Sequence, residues 1–233
     1  MNEEKPELEL WLPEIKKYIY SSIEDILKAA KFAFHKSGYS YKRTHAKNFE
    51  EFSFLFSNEF PVKYRVGYLM QVWNHDIKMI KAGFPGHSQV DNYKMRSLVF
   101  FMNHFRVIRD RDSVVTLPNF FLLITYRDLW KAADHIIASI RDQGIPLADQ
   151  LSTIQGIDGF FIEHPSWSVD SLNFNNMTSE LIAAKLSGVR DFNLVYEQMQ
   201  KAVMQKIDDL EMEPAVASAL ENFYAYLKQK AKS

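Results

Sequence analysis

The chain has 233 residues, 47% of them hydrophobic and 14% aromatic, with 18 Phe and 11 Tyr, enough apolar matter for one large domain or for a domain with an appended subdomain. Charged residues make up 24% and the formal net charge is −1, which argues against a nucleic-acid binder working through a broad basic field. There is no cysteine, so disulfides, thiol catalysis and Cys-ligated metal or iron–sulfur sites are excluded.

The run Met1-Asn2-Glu3-Glu4-Lys5-Pro6-Glu7 is acidic and lacks the apolar core of a secretory signal. The longest apolar runs, Leu98 to Met102 and Phe120 to Ile124, fall far short of the roughly 20 residues that span a bilayer. The expectation is a cytoplasmic protein with no membrane partner. Pro13 suits a first helical turn, and Ile15, Ile19, Ile23, Ile26, Leu27, Ala30 and Phe34 follow at three- and four-residue spacing. This predicts an amphipathic helix closed by Gly38. Tyr39 to Lys47 reads as a basic connection.

The organising stretch is Asn48 to Trp73. Phe52, Phe54 and Phe56 alternate with Glu51, Ser53 and Ser57, and Val62, Tyr64, Val66, Tyr68, Met70 and Val72 alternate with Lys63, Arg65, Gly67 and Gln71. A period of two places each set on one face, so the stretch predicts a hairpin turning at Asn58-Glu59-Phe60-Pro61. Asn74 to Ala82 fits either a strand extension or a short helix, and Gly83 to Ser88 a loop. Met95 to Ile108 fits helix or strand; strand is favoured because a hairpin needs further partners. Arg109 to Asp112 reads as a charged turn, and Val114 to Ile124 as an extended stretch.

Thr125-Tyr126-Arg127-Asp128 is a capping-box variant with Asp in place of Glu. The helix after it carries Leu129, Ala132, Ala133, Ile136, Ile137 and Ile140 on one side and should stop at Gly144. Ile145-Pro146-Leu147 opens a short helix towards Ile154, and Gly156, Gly159 and His164-Pro165 break up the segment before Trp167. Beyond Ser168 no strand is expected. Helices are predicted over Thr178 to Leu186, closed by Gly188; over Phe192 to Met212, capped by Asp191; and over Pro214 to Lys230. The fold class is therefore α+β: an antiparallel sheet built on a central hairpin with covering helices, plus a C-terminal helical region. The expected division is a core domain over 1–167 and the helical region over 168–233.

The leading helix, the Phe-rich hairpin, the Thr125-x-x-Asp128-Leu129 helix with Gly144-Ile145-Pro146-Leu147, and Leu186-Ser187-Gly188 followed by Asp191-Phe192 share a layout. It resembles a group of uncharacterised bacterial domains, some regarded as immunity-like. The resemblance spans most of the chain, implies a protein that neutralises a protein partner, and supplies no catalytic residues.

Motifs for phosphate, dinucleotide, zinc-protease or serine-hydrolase chemistry are missing. The remaining candidates are sparse. Trp73-Asn74-His75-Asp76 offers an aromatic ring, an amide, an imidazole and a carboxylate, a set fit for ligand binding or acid–base work, or merely for a strand end. Arg96, Arg106, Arg109 and Arg111 form a basic cluster able to clamp an anion, but Asp110 and Asp112 interleave with it. Asp128 and His135 share a helix face without a third metal ligand. Trp73, Phe84, Trp167 and Phe174 are the aromatics least explained by periodicity and serve as candidate interface anchors.

The reading favoured is a non-enzymatic protein-recognition domain, immunity-like, with another protein as partner, no nucleic acid, no cofactor and no metal, and with a homodimer left open. One competing reading is an enzyme or small-ligand binder using His75, Asp76, Arg106 and Arg109. Another is a peptide-binding scaffold made by the C-terminal helices.

Overall fold

The computed structural model describes residues 11–59, 63–85, 98–101, 121–123 and 125–230. Helix α1, Leu12–Ala29, begins with Pro13 in its first turn and buries Ile15, Ile19, Ile23 and Leu27. It ends well before Gly38. Lys31 turns to φ 66°, its N–H donates to Lys28 O, and the Phe32 N–H donates to Leu27 O at 2.8 Å. That pairing is a Schellman stop, made without glycine and sealed by the buried Phe32 ring. Phe34 then lies in strand β1, Ala33–His35, and the expected basic connection is strand β2, Ser40–His45. The two pair antiparallel with Phe34 opposite Tyr41, and Gly38 serves their turn, its N–H donating to His35 O.

Three residues are too few to show a period, and the charge of Arg43 disguises its burial. Its Nε donates to Glu50 Oε2 at 3.1 Å, and its guanidinium lies 4.6 Å from the Phe32 ring centre. Both members of the pair are buried, so a partner distant in sequence decides the environment of each.

The hairpin forms as β3, Asn48–Glu59, and β4, Lys63–Trp73. Phe52 and Phe54 are buried, and the Phe54 and Tyr68 rings stack at 6.1 Å, so the two arms share an apolar face. The opposite face of β4 is also covered from Val66 onward, where Leu69 and Gln71 are buried. The sheet runs β1-β2-β3-β4-β5, with β5 at Leu98–Phe101 and β6, Phe121–Leu123, also pairing β4. Tyr64 stands opposite Leu123 and Val66 opposite Phe121, antiparallel. Strand is thus the form of Met95–Ile108 where that stretch is described. Asn74 resolves the ambiguity after Trp73: its side chain accepts from the Asp76 and Ile77 N–H groups and starts helix α2, His75–Ala82.

Helix α3, Tyr126–Ser139, has the expected capping box. The Thr125 N–H donates to Asp128 Oδ2 at 2.9 Å and the Asp128 N–H to Thr125 Oγ1 at 3.2 Å. Gly144 does not stop it: a π turn over Ile140–Gly144 carries the chain into α4, Ile145–Gln150. Nor do the next glycines break the chain. Helix α5, Ile154–Glu163, runs through both. A Cβ on Gly156 would lie 1.7 Å from the Gln150 carbonyl oxygen, whereas one on Gly159 would meet nothing. Gly156 is there for close backbone approach. Short helix α6, Trp167–Asp170, precedes α7, Phe174–Ser187, then α8, Phe192–Asp208, and α9, Ala215–Lys230. Gly188 ends α7 at φ 65° and Asp191 caps α8, as their residue types predict. The described residues beyond Ser168 contain no strand, and the fold class is α+β.

The chain divides into two compact units. The first comprises 1–43, 50–71 and 100–148; the second comprises 44–49, 72–99 and 149–233. The segment from Asp149 to Trp167 therefore groups with the C-terminal helices. In the first unit α3 packs on α1 and β6; in the second α7 packs against α2, α5, α6, α8 and α9. Every residue of α7 from Asn175 to Ala184 is buried, so a helix with little amphipathic pattern is the centre of its unit.

Candidate functional site

An open hollow on the first unit follows from how α1 divides its faces. Ile15, Ile19, Ile23 and Leu27 face the core, and the neighbouring stripe Leu12, Lys16, Tyr20 and Glu24, four residues apart, looks along the sheet edge. There it meets Phe34, Tyr39 and Tyr41, and the walls enclose a groove of about 610 Å³. Tyr20 is its floor. Its ring centre lies 5.5 Å from Phe34, 6.3 Å from Tyr41 and 5.5 Å from Phe54. Phe34 and Tyr39 form the rim, 42% and 57% exposed.

The phenols hold the groove together. Tyr20 OH donates to Tyr39 O at 2.7 Å, and Tyr41 OH donates to Tyr20 O at 3.3 Å. Burial pushes the Tyr20 phenol up to about 12, and the adjacent Tyr41 and Tyr39 add to the shift. Burial likewise raises Tyr41 to about 12, helped by the Glu24 carboxylate. Both therefore stay protonated at neutral pH as donors to backbone carbonyls, and neither is placed as a base or nucleophile.

The charge of the groove is one-sided. Glu24 is paired with Lys28 at 2.5 Å, and Glu14 accepts the Tyr126 hydroxyl at 2.7 Å. Lys16 Nζ lies 5.9 Å from the Tyr39 ring centre and 5.5 Å from that of Phe56. Neither Lys16 nor Lys17 makes an ion pair among the described residues. Lys17 also lines a second hollow of about 320 Å³ with Tyr18, Ser21 and Tyr126.

The second unit uses its charges internally. Arg190 donates to Asp158 Oδ1 at 2.7 Å and to Glu180 Oε1 at 2.8 Å. Ser187 and Ser168 donate to Asp158 and Glu180, each at 2.5 Å. Burial raises the Glu180 carboxyl above its usual range, against the opposing pull of Ser168 and Arg190. Lys81 Nζ, also buried, donates to Asn175 O, Asn175 Oδ1 and Ser179 Oγ within 2.7 Å. Asp158 and Glu180 are buried, and these groups hold helices together instead of facing a ligand.

The residues singled out from the sequence are placed differently. The His75 N–H donates to Asn48 Oδ1 at 2.9 Å, and Asp76, exposed, follows in the first turn of α2. Arg106 and Arg109 lie outside the described residues, as do Arg96 and Arg111. Asp128 is engaged in the capping box, and the His135 ring meets Phe121 at 5.1 Å. Among the described residues no three His, Asp or Glu side chains converge as metal ligands would. Trp73 is half-buried, stacked on Phe49 at 4.8 Å with Lys78 over it. Phe84 packs against Phe223 and Tyr226, and Phe174 against Phe223. Trp167 is buried beside Phe160 and Phe161.

Periodicity assigns Phe34 to the first helix and Tyr39 to Lys47 to a connection, so it does not point to the groove aromatics. The available signal was their density: Tyr18, Tyr20, Phe34, Tyr39 and Tyr41 within one short stretch that also holds Lys16 and Lys17. No helix among the described residues is long and apolar enough to cross a membrane. Comparison with protein-family models, with curated proteins and with solved structures gives no match to this chain.

Proposed function

We propose that this protein is a non-enzymatic, cytoplasmic recognition domain that binds another protein, in the manner of an immunity protein that occupies a toxin. The observation that carries the reading is the groove beside α1. Its rim rings are exposed, the Tyr20 and Tyr41 phenols are committed to the backbone, and Lys16 and Lys17 make no ion pair among the described residues. Aromatic rings held rigidly at the surface give contact area at low entropic cost, the property of interface anchors. The first hollow is open to solvent, which suits a protein segment better than an enclosed metabolite.

The test is co-expression with the product of the adjacent reading frame. The expected result is rescue of a growth defect together with a stable complex on gel filtration, both lost when Tyr39 is replaced by Asp. A chain that neither rescues nor forms a complex would sink the immunity-like reading.

A further inference from the structure

The aromatic groove of the first unit has a charge asymmetry that selects its occupant. Rings alone would welcome a cation, because their faces are negative. That position is already taken: Lys16 Nζ stands within 6 Å of both the Tyr39 and Phe56 ring centres. A second cation there would meet like charge. Glu24, the carboxylate lining the aromatic groove, is neutralised by Lys28, while Glu14, which lines the second hollow, keeps its charge and accepts the Tyr126 hydroxyl. Lys16 and Lys17 thus leave the aromatic groove, which they line with Phe34 and Tyr39, with a net positive charge, and Glu14 offsets part of it only at the second hollow. A nucleic acid needs many such contacts to bind at ordinary salt, and a chain of net charge −1 with two lysines at this place does not offer them.

We infer that the groove takes an acidic linear segment of the partner protein, with an aromatic or leucine side chain seated between Tyr20, Phe34 and Tyr39 and a carboxylate against Lys16 and Lys17. This rests on the recognition reading above and specifies its chemistry. The apolar side chain covers ring surface now open to water, and the carboxylate supplies the anion that both ammonium groups lack among the described residues. The contact is salt-sensitive, because at least one of its charges stays at the rim.

The probe is a random peptide library displayed on phage and selected on the immobilised full-length chain. Selected peptides are then synthesised and measured by fluorescence anisotropy. The expected peptides place Asp or Glu beside Trp, Phe or Leu. Their dissociation constant should rise about tenfold in Lys16→Glu, in Lys17→Glu and in Tyr39→Ala, with melting temperatures unchanged, and should weaken steadily with added salt. Selection of basic or neutral peptides, or binding indifferent to both lysine reversals, overturns the inference.

The chain's own acidic run, with Glu3, Glu4, Glu7 and Glu9 beside Leu8 and Leu10, is the rival occupant. Deletion of residues 1–10 that tightens peptide binding tenfold or more would assign the groove to it. Concentration-dependent self-association abolished by Lys16→Glu would assign it to a second copy. Either outcome overturns the partner segment. A partner complex that withstands both lysine reversals but is lost in Tyr39→Asp leaves recognition standing and removes the acidic segment. Peptide binding as expected, with no complex from the adjacent reading frame, does the reverse.

Discussion

Both units pair buried charges internally, Arg43 with Glu50 in the first and Arg190 with Asp158 and Glu180 in the second, but they differ in what they leave at the surface. In the first, Tyr20 and Tyr41 turn their hydroxyls to backbone carbonyls and leave ring surface and two lysines facing outward. In the second, Asp158, Glu180, Arg190 and Lys81 satisfy one another, or neighbouring amides and hydroxyls, inside the helical bundle. A buried charge that loses its partner is strongly destabilising, whereas an exposed ring contributes little to folding. Buried charge pairs therefore mark structure in both units, and the exposed rings of the first are the surface on which the proposed recognition depends. Substitutions can break that contrast or sharpen it.

The largest effect should come from the face that supports the groove from beneath. Phe54→Asp buries an unpaired carboxylate beside Tyr20 and Tyr68 and should cost at least about 4 kcal/mol by urea unfolding. Ser53→Asp, on the other face of the same strand, should be nearly silent. Equal losses in the two variants would mean that the faces are wrongly assigned.

Next comes Arg190→Ala, which leaves Asp158 and Glu180 buried without their guanidinium. The expected loss is about 3 kcal/mol, tempered by the partial exposure of the arginine, whose side chain is 18% accessible. A near-neutral result would show that the network is not what holds the second unit. Gly156→Ala should follow at roughly 2 kcal/mol, because the added methyl runs into the Gln150 carbonyl and the backbone must shift. Thermal melts are enough to rank these two.

A smaller effect appears at alkaline pH. The folded-state values of Tyr20 and Tyr41, about 12, lie above the ordinary 10. The stability they contribute is therefore fully present below pH 10 and is lost as pH rises towards 12, where the folded phenols ionise. Unfolding midpoints measured across that window should fall less steeply in Tyr20→Phe than in the parent chain. Smallest of all, Tyr39→Ala at the exposed rim should change stability by less than roughly 0.5 kcal/mol. A loss comparable to that of Arg190→Ala would mean that the rim is structural and would erase the contrast between the units.

What the sequence by itself determined was local. The four-residue stripe of Ile15, Ile19, Ile23 and Leu27, the alternation through Phe52 and Phe54, the Thr125–Asp128 capping box and the Gly188–Asp191 caps each lie within a few residues of their own chain, and each forms as its residue types require. Tertiary structure decided whatever depended on a distant partner. Arg43 is buried because Glu50 and Phe32 receive it, Phe34 becomes strand, past the stop at Lys31, because Tyr41 pairs with it, and Gly156 sits inside a helix because the Gln150 carbonyl needs the room. Arg190 meets Asp158 across 32 residues of chain. Propensity and periodicity are sums over neighbours along the chain, so they cannot register a contact whose energy is set by a residue brought in from elsewhere. The groove belongs to this second kind: Lys16 and Tyr20 come from a helix, Phe34, Tyr39 and Tyr41 from the hairpin edge beside it, and only the packing of one on the other makes them a surface.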